Sequence, residues 1–232
     1  MPDNCARPHQ PDVMNMMRKF AVPFILLAAV LAGPAAFAQA TKSPDFIAGE
    51  QAYRRGDVRG AMNKLRPLAD AGDSAAQAML GEILDRAEQD EEAVKYFRKS
   101  AELGNADGAY GLATMLAAGE GGPKNPAMAR SWFEKAAATG HEGAVKSLAA
   151  AYLIGGLDIS KEGMQSMEAY KWIRAAADAN VVPAVDRLAK AYRKGEWSLP
   201  VDIKAAEALE AKSLALQGLT PTKGKKNAPK KQ

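Results

Sequence analysis

Apolar residues along this chain recur at fixed distances from a series of glycines. Gly72, Gly104 and Gly140 each close a similar segment, and Asn180 takes the fourth such place. An alanine lies eleven residues before each of these four positions, and a leucine lies eight residues after each. The alanines are Ala61, Ala93, Ala129 and Ala169, and the leucines are Leu80, Leu112, Leu148 and Leu188. Because two offsets hold over four copies, the chain contains an internal repeat.

The spacing inside each repeat predicts two helices. The apolar residues before Gly140 fall at i, i+3, i+4, i+7 and i+8, which places them on one face of an α-helix. They are Ala129, Trp132, Phe133, Ala136 and Ala137. Tyr96 and Trp172 repeat the aromatic residue at i+3, so we expect Tyr96, Trp132 and Trp172 in the core. The other helix is predicted by apolar residues at every fourth position, namely Ala76, Leu80 and Leu84.

Helix ends are also marked in the sequence. Glycine, and less readily asparagine, takes the left-handed conformation that closes a helix, so a helix should end at each repeat glycine. Asn125 followed by Pro126 predicts a helix start, and Asp202 predicts another. Pro67 falls inside the second helix of the first repeat and should kink that helix or delay its start.

These helix pairs predict an all-α fold, an α/α superhelical solenoid of about four to five helix-turn-helix repeats. Each pair carries apolar surface on both sides and cannot bury it alone, whereas stacking on the next pair removes that surface from water. The distance between the closing residues grows from 32 to 36 to 40, and the extra residues fall in the loop between the two helices. Such insertions are tolerated because the cost of closing a loop grows slowly with its length.

The repeated segments resemble the Sel-1-like repeat family, which is related to tetratricopeptide repeats. The segments that carry the resemblance are "AVKYFRKSAELG", "MARSWFEKAAATG", "AVKSLAAAYLIGG" and "EAYKWIRAAADAN", and the similarity spans about residues 46–216. The resemblance implies an interaction scaffold, of the kind that serves as an adaptor in signalling or in the assembly of envelope complexes. It also implies that the first helix of each pair lines a concave face. In the last repeat, Ala208 and Leu209 replace the aromatic residue, as expected of a capping unit.

Residues 1–40 are predicted to be an N-terminal extension and a secretory signal peptide. Arg18 and Lys19 precede an apolar run over residues 20–31, and small residues follow. Ala38 and Ala40 each offer a cleavage position with small residues at −3 and −1. We therefore expect export to the periplasm, with translation starting at a methionine between positions 14 and 17. The alternative is an uncleaved membrane anchor.

Residues 219–232 are predicted to be a disordered, lysine-rich tail, which leaves residues 41–218 as the solenoid domain. The segment "TPTKGKKNAPKKQ" carries five lysines and no acid, whereas the chain as a whole has a net charge of +4. The basic excess therefore lies in the tail and not on a folded face, which argues against nucleic-acid binding. The tail is expected either to keep the chain soluble or to contact an anionic envelope surface weakly.

The predicted mature chain lacks the residue types that several kinds of functional site require. The one cysteine, Cys5, precedes the predicted leader, and His141 is the one histidine that follows it. Disulfides, thiolate metal sites and cysteine nucleophiles are therefore excluded from the mature chain, and we expect neither metal nor cofactor. A family branch linked to β-lactam binding is rich in disulfides, so this chain falls outside that branch. His141 follows a repeat glycine at the place of Asp73 and Asn105, which indicates a turn residue.

Seven residues are candidates for contact with a partner. Positions two before and two after each core leucine point away from it on a helix that turns about 100° per residue. The candidates are Tyr110, Thr114, Lys146, Asp186, Lys190, Arg193, which continues the row, and Trp197, a loop tryptophan that no apolar stripe requires. Such a row could hold an extended peptide or an acidic helix. The alternatives are a solvated surface and, for Trp197, packing over the last helix.

The sequence therefore predicts a non-catalytic protein-binding scaffold or adaptor in the bacterial periplasm or cell envelope. Two alternatives stay open. One is an enzyme of the repeat family that acts on cell-wall material or binds β-lactams, with Glu134 or Glu142 as its carboxylate. The other is a membrane-associated scaffold docked by its basic tail. The identity of the partner is not encoded in these patterns.

Overall fold

A computed structural model describes residues 42–219, and those residues form five consecutive pairs of α-helices without a strand. The helices are α1 (Pro44–Arg54), α2 (Val58–Asp70), α3 (Ser74–Arg86), α4 (Asp90–Glu102), α5 (Ala106–Ala118), α6 (Pro126–Ala138), α7 (Glu142–Ile154), α8 (Met167–Asp178), α9 (Val182–Lys194) and α10 (Ile203–Leu216). Short 3₁₀ turns lie at Gly163–Gln165 and Glu196–Ser198. The predicted all-α helix-pair architecture is confirmed.

Each helix packs against the helices before and after it in the chain, and α3 also packs against α5. One hydrophobic core runs through the whole stack, from Phe46 on α1 to Trp197 in the last loop. The four repeat alanines and four repeat leucines all belong to this core. Since every pair shares its apolar surface with its neighbours, the stack is a solenoid.

The helix ends follow the predicted signals. Gly72, Gly104 and Gly140 have φ values of +95°, +82° and +88°, and Asn180 has a φ of +63°. The side chains of Asn125 and Asp202 accept hydrogen bonds from the amides of Met128 and Ala205, as expected of N-caps. These caps set where each helix begins and therefore which residues face the neighbouring pair.

Two expectations about single residues need correction. Pro67 lies inside α2, which begins at Val58 behind the Asp57 N-cap, so the delayed start is ruled out and the kink stays a prediction. Tyr96 and Trp172 are buried as predicted, whereas Trp132 is only half-buried, with Lys135 Nζ 3.6 Å from its ring centroid. The i+3 position lies at the edge of the apolar stripe, and its burial depends on what the neighbouring helix places over it.

Among residues 42–219, no helix is long and apolar enough to cross a lipid bilayer. The predicted leader and almost all of the predicted lysine tail fall outside the described residues. The boundaries proposed for these segments therefore stay predictions.

Candidate binding groove

The first helices of the first three pairs line an open groove of about 710 Å³. Helices α1, α3 and α5 supply its walls, and His141 closes it at the N-terminus of α7. Large apolar or aromatic side chains form much of its lining, namely Phe46, Tyr53, Met79, Phe97, Tyr110 and Met115. Because the lining combines aromatic rings with a few polar groups, it is typical of a recognition surface.

Phe97 reaches the groove from the second helix of its pair, α4, through a gap left by two glycines. A Cβ atom placed on Gly111 of α5 would lie 2.3 Å from Phe97 Cε1, and one on Gly81 of α3 would lie 2.8 Å from Phe97 Cδ1. The ring is therefore held between α3 and α5, and only 6% of Phe97 is exposed. Glycine at these two positions allows a core aromatic residue to form part of the groove.

Tyr110 and His141 form a stacked pair at the α7 side of the groove. Their ring centroids are 4.5 Å apart with an interplanar angle of 27°. His141 Nδ1 accepts a hydrogen bond of 3.1 Å from the Ala144 amide, which makes His141 the N-cap of α7. Since Nδ1 accepts, the neutral ring carries its proton on Nε2, which lies 3.3 Å from Asp107 Oδ1. The predicted turn role of His141 is confirmed, and the cap also fixes the Tyr110 ring.

Several charged side chains of the groove are paired within it. Arg54 and Lys42 both contact Glu50, at 2.7 and 3.3 Å, and hydrogen bonding, above all from Lys42, lowers the pKa of Glu50. Arg86 lies 3.0 Å from Glu82, and this hydrogen bond raises the pKa of Arg86. Each of these three cations therefore already contacts a carboxylate within the groove.

Asp85 differs from the other groove carboxylates. It lies half-buried in the last turn of α3, and burial raises its pKa, with a further contribution from the nearby charge of Asp90. No side chain among the described residues forms an ion pair with Asp85 by distance. The groove therefore contains a partly desolvated carboxylate whose charge the fold leaves without a direct counterion.

The structure brings together two of the seven predicted contact residues. Tyr110 and Thr114 both line the groove, the first half-buried and the second exposed. Lys146 is exposed on α7 and forms an ion pair with Glu142, one turn earlier on the same helix. Asp186 and Lys190 are exposed on α9, outside the groove. The predicted row therefore divides between the groove and a separate surface on α7 and α9.

Arg193 and Trp197 take part in internal contacts instead. Arg193 donates hydrogen bonds of 2.8 and 2.9 Å to the two carboxylate oxygens of Glu210 on α10. Trp197 is 5% exposed, and its Nε1–H donates to the Met164 carbonyl oxygen at 3.3 Å. The expectation of an exposed loop tryptophan is wrong, because the last loop turns its ring inward beneath the Arg187 guanidinium, 4.0 Å away.

Sequence reasoning missed the contribution of α1 to the groove. Phe46, Tyr53 and Arg54 all line it, yet α1 has Gly49 where the other first helices carry the repeat leucine. The usable signal was Tyr53 followed three residues later by Gly56, which matches the end of the other first helices. That match identifies α1 as the first helix of a repeat pair.

The carboxylates considered for catalysis lie apart from the groove. Glu134 is on α6, where burial raises its pKa, and Glu142 begins α7, where hydrogen bonding to Lys146 lowers its pKa. In the stretch that the structure describes, no group of three or more His, Cys, Asp or Glu side chains is arranged to hold a metal ion.

Comparisons with known proteins agree with this architecture. The family model for the Sel1 repeat matches residues 74–105, 106–141, 147–181 and 182–209. The fold is similar to that of c5321, a protective antigen that displays an SLR fold and is present in uropathogenic Escherichia coli strains, at 25% identity and a TM-score of 0.63. This match covers 75% of the present chain and 38% of the antigen.

A Sel1 repeat protein from Oxalobacter formigenes is similar at 24% identity and a TM-score of 0.63, over 73% of this chain and 70% of that one. No curated protein is significantly similar in sequence to this chain. The four family matches begin at α3, so the pair formed by α1 and α2 adds a further helix pair in front of them.

Proposed function

This chain belongs to the Sel1 repeat family, and from that premise we propose that it is a non-catalytic scaffold whose groove between α1, α3 and α5 binds a partner protein. Sel1 repeat proteins generally mediate protein–protein interaction. The observation that carries the proposal is the groove itself, an open surface with aromatic side chains built on three rigid helices. Its volume of about 710 Å³ is sufficient for several side chains of a peptide.

The side chains that α5 places in the groove favour a binding role over a purely structural one. Tyr110 is half-buried with its ring held by His141, and Thr114 is exposed one turn further along α5. A fixed aromatic ring beside an exposed threonine loses little conformational entropy when a partner binds, which is why such rings concentrate binding energy.

A substitution that fills the groove tests this proposal. Thr114→Arg places a long side chain on an exposed groove position and should not disturb the core. Ala150→Arg is the matched control, since Ala150 is also exposed and occupies the same repeat position on α7, outside the groove lining. Tagged full-length chains carrying either change are used to capture partners from envelope extract, with mass spectrometry to identify them.

We expect Thr114→Arg to lose the specific partner and Ala150→Arg to retain it. Retention by Thr114→Arg together with loss by Ala150→Arg would move the binding surface to α7. If both variants retain the partner, the groove is not the binding site.

We also propose that this scaffold works in the periplasm or cell envelope. The support is the basic start, apolar run and small residues of positions 18–40. The intact mass of the protein from a periplasmic fraction tests it, since cleavage after Ala38 or Ala40 gives a chain that begins at Gln39 or Thr41. A chain that keeps residues 20–31 and stays in the membrane fraction supports the anchor instead.

A further inference from the structure

The groove has two carboxylates that the fold does not neutralise. Among its four acidic side chains, Glu50 and Glu82 are paired with the groove cations, which are Lys42, Arg54 and Arg86. Asp85 has no ion-pair partner within residues 42–219 by distance. Asp107 Oδ1 lies 3.3 Å from His141 Nε2, and no lysine or arginine within residues 42–219 forms an ion pair with it. The groove therefore has four carboxylates against three lysine and arginine side chains, and neither Asp85 nor Asp107 has a lysine or arginine within ion-pair distance.

The surroundings of Asp85 make this charge unfavourable in the free protein. It lies in the last turn of α3, where the negative end of the helix dipole opposes a carboxylate. It is also half-buried, and the charges of Asp90 and Glu82 add repulsion that the attraction of Arg86 offsets in part. Arg86, which follows it directly, is turned toward Glu82. A cation supplied by a partner would offset the helix dipole and the repulsion between the carboxylates.

The apolar part of the groove specifies the rest of the ligand. Phe46, Met79, Phe97 and Met115 offer a surface on which an aliphatic or aromatic side chain can be removed from water. The half-buried rings of Tyr53 and Tyr110 also line the groove and can accept a cation over a ring face. The groove therefore combines an apolar surface with more carboxylates than lysine and arginine side chains.

We propose that the occupant of this groove is a basic, apolar segment of the partner protein, with a lysine or arginine against Asp85 and an apolar side chain on the floor. The inference rests on the proposed binding function and adds the chemistry of the partner. The acidic helix suggested by the sequence is disfavoured, since the acidic side chains of the groove outnumber its lysines and arginines and each of those cations already contacts a carboxylate. The lysine tail of this chain supplies the charge but no large apolar side chain.

Fluorescence anisotropy on the full-length chain tests the inference with four labelled peptides. Three have the same leucine positions and carry lysine, glutamine or glutamate between them, and the fourth is the tail sequence "TPTKGKKNAPKKQ". Because the chain has a net charge of +4, long-range attraction favours the glutamate peptide. A preference for the lysine peptide must therefore come from the local charge of the groove.

We expect the leucine–lysine peptide to bind about tenfold more tightly than the leucine–glutamate peptide at low salt. Asp85→Asn should weaken the lysine peptide about fivefold, which corresponds to about 1 kcal/mol for a half-exposed pair. Asp186→Asn is the matched control, since Asp186 is an exposed carboxylate on α9 outside the groove, and it should leave binding unchanged. Asp85→Lys should reverse the preference between the two charged peptides. Circular dichroism of each variant verifies that the fold is kept.

Equal or tighter binding of the glutamate peptide overturns the inference, and so does an Asp85→Asn variant that binds the lysine peptide as tightly as the parent. If either result is found while Thr114→Arg still abolishes partner capture, the groove function stands and only the partner chemistry is wrong. If the tail peptide binds as tightly as the leucine–lysine peptide, the apolar requirement is refuted and the tail becomes the occupant.

Discussion

Gly111 offers a sharp test of how the groove is built, because two opposing effects meet at this residue. In the middle of a helix, replacing glycine with alanine normally stabilises a protein by about 1 kcal/mol. At Gly111 the new Cβ atom would lie 2.3, 2.5 and 2.6 Å from Cε1, Cδ1 and Cζ of the Phe97 ring. Carbon atoms in contact are separated by about 3.5–4.0 Å, so the ring must move.

The ring has no room to retreat. Gly81 of α3 also lies against it, since an added Cβ atom there would be 2.8 Å from Phe97 Cδ1, and the ring is almost fully buried. Overpacking of this kind costs about 1–3 kcal/mol. We therefore expect Gly111→Ala to lower the free energy of unfolding by about 1 kcal/mol, after the helix gain is subtracted from the steric cost. For a chain of this size the melting temperature should fall by about 2–4 °C.

Urea denaturation followed by circular dichroism measures this effect, with Phe97→Leu as the second arm of a double-mutant cycle. Leucine is smaller than phenylalanine and leaves space for the added methyl group. In that background Gly111→Ala should be neutral or stabilising, so the coupling between the two sites should be about 1–2 kcal/mol. A Gly111→Ala variant that is more stable than the parent chain would refute the placement of Phe97 between α3 and α5.

Three further substitutions test individual contacts by the same denaturation assay. Asp85→Asn should raise the free energy of unfolding by about 0.5 kcal/mol at pH 7, because a carboxylate at a helix C-terminus opposes the dipole. Burial raises the pKa of Asp85 in the folded chain, so its charge destabilises the fold only where the carboxyl is ionised. The gain in stability from Asp85→Asn should therefore grow as the pH rises through the carboxyl range and disappear toward pH 3.8, the ordinary pKa of an aspartate. A gain that is independent of pH would contradict this explanation. His141→Ala should cost about 1 kcal/mol through loss of the α7 cap, whereas His141→Asn should recover most of it; equal losses in both variants would show that the cap is not the cause. Trp197→Ala should lower the free energy of unfolding by about 3 kcal/mol because the ring is buried, and a change below about 0.5 kcal/mol would show that the ring is exposed instead.

The sequence predicts the helix pairs well because their determinants are local. A repeat glycine with positive φ, an Asn or Asp cap and an apolar stripe each act within a few residues of the position that they specify. The repeat then supplies the packing, since every pair must present the same apolar surface to its neighbour. For this reason the repeat leucines are all found in the core.

The binding surface is harder to predict because it depends on contacts between helices. Helical spacing shows that Tyr110 and Lys190 point away from the core leucine of their own helix, but it does not show which neighbouring side chains surround them. In the groove of α1, α3 and α5, for example, Phe97 of α4 contributes to the lining because Gly81 and Gly111 leave space for its ring. Arg193 has the expected position along its helix, yet Glu210 of the next helix binds it.

Site-specific photocrosslinking in cells tests the central claim most directly. A benzoylphenylalanine residue is placed at position 110 or 114 in the groove and, as matched controls, at position 146 or 190 on the exposed faces of α7 and α9. We predict that the two groove positions crosslink to the same protein and that the two control positions do not. Crosslinks to that protein from position 146 or 190, without any from 110 or 114, would contradict the account.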